Sequence, residues 1–84
     1  PVRKGNPTTI RHRAKKAEET MALTQDAILK VDKELADPNL FSRDPAKGAA
    51  LSQKRARLEA DLQAAEEEWL AASDELEQVE RSGA

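Results

Sequence analysis

Three adjacent carboxylates, Glu66, Glu67 and Glu68, form the densest group of acid–base side chains in this chain of 84 residues. Paired carboxylates in catalysis must face one substrate, whereas successive residues on a helix point in different directions. The run therefore reads as a solvated helix face. His12 is the single histidine, and no cysteine or carboxylate stands near it at ligand spacing. It lies among Arg11, Arg13, Lys15 and Lys16 and belongs with that basic stretch. Ser42, Ser52 and Ser73 have no histidine that a simple fold would bring to them, and Gly5, Gly48 and Gly83 make no phosphate-cradling loop. The sequence is read as non-enzymatic, with no catalytic residue, no metal ligand and no cofactor of its own.

The chemistry that remains is contact with phosphate. Residues 1–16 carry Arg3, Lys4, Arg11, Arg13, Lys15 and Lys16 and no acid, a local charge of +6. Such side chains neutralise phosphates and give affinity without sequence choice. No aromatic residue interleaves with them, so base stacking is not expected. Residues 59–80 carry nine acids and no Lys or Arg, a charge of −9 that the overall net charge of −2 conceals. Two readings compete. The polarity marks a nucleic-acid contact, or it pairs one segment of the chain with the other. If the acids compete with phosphate, Glu75, Glu77 and Glu80 are the expected competitors.

The elements that position these charges follow from two heptad patterns. Ile10, Ala14, Ala17, Met21, Thr24, Ile28, Val31 and Leu35 alternate steps of four and three, as do Leu51, Arg55, Leu58, Leu62, Ala65, Trp69, Ala72, Leu76 and Val79. Only Arg55 breaks the apolar rule, and its aliphatic stem can lie along the seam while the guanidinium reaches water. Between the patterns stands Asp37-Pro38-Asn39-Leu40-Phe41-Ser42-Arg43-Asp44-Pro45. Each proline pushes the residue before it out of the helical region, so one helix ends near Ala36 and another begins at Pro45 with Asp44 as its cap. Asn6 and Pro7 repeat that start signal, and Ser82-Gly83 is a stop.

The expected fold is all-α, two long helices forming an antiparallel coiled-coil hairpin. Its parts are a basic linker over 1–6 and a hairpin over 7–82, with helix 1 at about 7–36, a turn at 37–44 and helix 2 at about 45–81. Setting Leu35 opposite Leu51 places Trp69 against Ala14 and Ala17, where the small residues leave room for the indole. Leu40 and Phe41 are expected to cover the closed end. The aliphatic layers near the turn should be firm, and the alanine-rich layers toward the termini should fray.

Composition agrees with such a rod. One Phe, one Trp and no Tyr give too little aromatic mass for a globular core in a short chain. The lack of cysteine excludes disulfides and fits a reducing cytoplasm, and no apolar run approaches the roughly 18 residues of a membrane span. The chain begins at Pro1 and is read as one module of a longer protein, monomeric in isolation.

The segment Leu35-Ala36-Asp37-Pro38-Asn39-Leu40-Phe41, then Asp44-Pro45, Leu51, Leu58-Glu59, Leu62, Glu66 and Trp69, resembles the C-terminal coiled-coil domain of the ABC-F ATPases, Uup type, over residues 24–80. The resemblance implies a nucleic-acid-binding appendage on a soluble cytoplasmic ATPase, acting on DNA or ribosomal RNA. ATP and magnesium would be bound by ATPase cassettes of the same parent chain, outside this fragment. Two alternatives come from other classes. One is a tRNA-contacting helical arm of an aminoacyl-tRNA synthetase, against which the doubled Asp-Pro turn speaks. The other is a protein-interaction or spacer coiled coil.

Overall fold

The computed structural model describes residues 6–82. Arg3, Lys4 and the rest of the 1–5 segment, together with Gly83 and Ala84, lie outside the described residues. Asn6 Oδ1 accepts the Thr9 N–H at 2.8 Å and opens α1 (Pro7–Leu35). That bond satisfies one of the amides a helix start leaves unpaired, and Pro7 sits where its missing N–H is not needed. Ala36 closes the helix by donating its N–H to the Asp32 carbonyl at 2.9 Å.

The connection contains a single helical turn, α2 (Leu40–Arg43), where the sequence pattern predicts only a turn. Asp37 organises it. One carboxylate oxygen accepts the Asn39 N–H at 2.9 Å and the other accepts Arg43 Nη2 at 2.6 Å. The Asp44 N–H then donates to the Leu40 carbonyl at 2.8 Å. Asp44 Oδ1 accepts the Lys47 N–H at 3.0 Å, which caps α3 (Pro45–Arg81).

Among the described residues the chain is all helical, with no strand. α1 and α3 lie along each other, and their paired residues are numbered in opposite senses. Arg11 meets Glu80, Arg13 meets Glu75, Glu18 meets Trp69, Asp32 meets Arg55 and Glu34 meets Lys47. The radius of gyration is 18.6 Å, against about 12 Å for a compact domain of this length. A rod this thin buries one stripe of each helix and little else. Every seam position read from the heptads is buried or half-buried, from Ile10 to Leu35 and from Leu51 to Val79. Thr24 is the one buried polar seam residue, and no buried side-chain polar atom among the described residues lacks a partner.

The largest apolar layers sit beside the turn. Val31, Leu40 and Leu51 form the buried cluster, with Leu35 and Leu58 packed against it. Leu40 and Phe41 divide their roles, because Leu40 is 4% exposed and Phe41 is 53% exposed. Phe41 lies over Gly48, where a Cβ would come within 2.6 Å of two of its ring carbons. A helical glycine costs about 1 kcal/mol relative to alanine. Here it provides the seat for the ring.

A candidate nucleic-acid interface on the first helix

The basic residues of α1 divide by heptad position. Arg11 and Arg13 flank the seam and meet carboxylates of α3. Arg11 Nη2 lies 3.1 Å from Glu80, with both side chains more than half exposed. Arg13 reaches two acids one heptad apart, at 2.8 Å to Glu68 and 3.1 Å to Glu75. Hydrogen bonds that Arg13 donates to Glu68 and then to Glu75 hold its guanidinium above its ordinary pKa. Flanking charges of this kind fix which residues of two helices face each other.

Lys15 and Lys16 occupy different ground. Both are exposed, and neither has an ion-pair partner among the described residues. With His12 and Glu19 they border a shallow surface hollow. A second open groove runs between the helices where Ala17, Thr20 and Ala65 are small, with Lys16 at one lip and Asp61 at the other. Of the six basic residues singled out in the sequence, the structure thus brings Arg11 and Arg13 to α3, leaves Lys15 and Lys16 exposed and unpaired among the described residues, and does not describe Arg3 or Lys4. Glu68, which was not among the competitors expected from the charge pattern, holds Arg13, whereas Glu77 pairs with Arg81 on its own helix. The signal for Glu68 was its place beside the seam one heptad from Glu75, on the side of α3 that Arg13 faces.

Trp69 is half-buried on the seam, and its indole Nε1 donates to Glu18 at 3.1 Å. Among the described residues, no three His, Cys, Asp or Glu side chains converge as a metal ion would require. No described helix is long and apolar enough to cross a membrane.

Arg55 is the polar member of the seam. Its Nε lies 2.5 Å from Asp32, and it also binds Glu59 one turn along α3. The hydrogen bond from Arg55 holds the Asp32 carboxyl below the usual carboxylate range. Asp37 is lowered too, first by the Asn39 amide and then by Arg43. Both folded values lie below the unfolded aspartate value of about 3.9, so the unfolded chain takes up protons first. This stabilisation is complete above about pH 5 and is lost as pH falls through about 4 toward the depressed folded values. The melting temperature should therefore drop on acidification in that window. Asp32→Asn should melt lower at neutral pH and show a shallower acid decline. Parallel declines in the two proteins would remove Asp32 from the acid response.

These features define a class of fold: an extended helical rod with strongly polarised surface charge. The model of the ABC transporter C-terminal domain family matches residues 9–74. The chain belongs to that family. Comparisons with curated proteins and with solved structures found no match.

Proposed function

We propose that this chain is the C-terminal appendage of a soluble, cytoplasmic ABC-F ATPase of the Uup type, folded as an antiparallel coiled-coil hairpin that contacts the phosphates of DNA or ribosomal RNA. The module performs no chemistry itself. ATP and magnesium belong to the ATPase cassettes of the parent chain. The observation that carries the reading is that Lys15 and Lys16 are exposed and unpaired among the described residues, while α3 engages the neighbouring arginines. Family membership supports the parent class.

A salt titration with a mixed-sequence DNA duplex and with an RNA hairpin tests it. With three to six phosphates contacted, log affinity falls with log salt at a slope of roughly −3 to −5 on the duplex. Lys15→Glu with Lys16→Glu removes two contacts and weakens duplex binding roughly 60-fold at 0.1 M salt, taking about 0.9 per contact. Helicity should not change, because neither side chain touches the seam. Undetectable binding by the parent sequence at low salt would instead support a protein-binding or spacer coiled coil. The arginine pairs to Glu68, Glu75 and Glu80 favour that second reading, since they use basic side chains to join the helices.

A further inference from the structure

We infer that Glu68, Glu75 and Glu80 form a competitive clasp, occupying Arg11 and Arg13 until a nucleic-acid phosphate displaces them, so that binding and loosening of the open end are one event. This rests on the phosphate-contact reading above and assigns it a regulation. The guanidinium fork fits a carboxylate and a phosphate alike. In the structure both forks are engaged, Arg11 by Glu80 at 3.1 Å and Arg13 by Glu68 at 2.8 Å and Glu75 at 3.1 Å. These pairs tie residues 11–13 of α1 to residues 68–80 of α3.

Two features make the exchange feasible. Two of the three pairs are exposed, with side-chain accessibilities of 57% and 56% for Arg11 and Glu80, and 36% and 49% for Arg13 and Glu68, while Arg13–Glu75 is half-buried at 36% and 31%. Exposed pairs contribute little to stability and are screened by salt, so at Glu80 and Glu68 an incoming phosphate has little to overcome. The other end of the rod is held independently by the Val31, Leu40 and Leu51 cluster, so release of the arginines leaves the helices joined there. Trp69 reports on the same end as the clasp, because its indole bonds Glu18 across the seam beside Glu68.

The experiment compares two triple variants with equal charge change. Glu68→Gln/Glu75→Gln/Glu80→Gln removes the clasp. Glu66→Gln/Glu67→Gln/Glu77→Gln neutralises three α3 acids that do not touch Arg11 or Arg13. The clasp variant should bind a mixed-sequence DNA duplex about 3- to 30-fold more tightly than the charge-matched control, the scale of two arginines released from exposed pairs. In the parent sequence, Trp69 emission should move to longer wavelength as duplex saturates the chain. Equal affinities of the two helical variants overturn the clasp and leave phosphate contact standing. An unmoved Trp69 emission maximum at saturation overturns it as well, and that measurement needs no variant to fold. Failure of the parent sequence and of both variants to bind at low salt overturns the clasp together with the reading it rests on.

Discussion

Leu40→Ala should lower the unfolding free energy by about 2–4 kcal/mol, within the range for truncating a buried leucine. Leu40 is a residue of the connection, yet it is 4% exposed and packs with Val31 and Leu51 in the buried cluster. The loss is large for this molecule, since domains of this size are stable by only about 4–13 kcal/mol. Removing the side chain leaves a gap that two helix ends held by caps and prolines cannot readily close. Phe41→Ala is the matched comparison, because Phe41 is 53% exposed and rests on Gly48 from outside. Urea unfolding followed by circular dichroism measures both. A Leu40→Ala midpoint no lower than that of Phe41→Ala would show that the connection does not close the core.

Trp69→Ala should cost about 2–3 kcal/mol, below the 3–5 typical of a fully enclosed aromatic because Trp69 is only half-buried. The contact has two parts. Trp69 is half-buried at its seam position, and Nε1–H donates to Glu18 at 3.1 Å. Trp69→Phe keeps most of the ring area and loses the hydrogen bond, so it should cost about 1 kcal/mol. Melting curves of the two variants separate apolar cover from the polar link. Native emission should also be shorter in wavelength than in the unfolded chain. An unchanged melting curve for Trp69→Ala, with emission already at the unfolded position, would place the indole outside the seam.

The parts of this molecule that are local or periodic are legible in its sequence. Asn6-Pro7 and Asp44-Pro45 each combine a side-chain acceptor with a residue lacking N–H, and both requirements are met within four residues of chain. The heptad steps identify the seam because a helix returns to the same face every three or four residues. Each of those residues is buried or half-buried, Arg55 included. The one-turn helix at Leu40–Arg43 is less visible, because four residues carry too few periodic positions to declare themselves. Gly48 is silent in the sequence for a different reason. Its role exists only once Phe41 folds back over it.

The charges show the same division at the candidate interface. Sequence alone determined that one end of the first helix is basic and that the distal half of the second is acidic, since that is composition along a line. The seam and the doubled Asp-Pro turn, which carried the resemblance, lie largely within the matched span of residues 9–74. Only the tertiary structure decided which basic residues remain available. Arg11 and Arg13 face α3 and take Glu80, Glu68 and Glu75 as partners, while Lys15 and Lys16 stay exposed and unpaired among the described residues. The physical reason is register. Ion pairing falls off within a few ångströms, and which carboxylate comes that close depends on how α1 and α3 are set against each other across a separation of more than fifty residues.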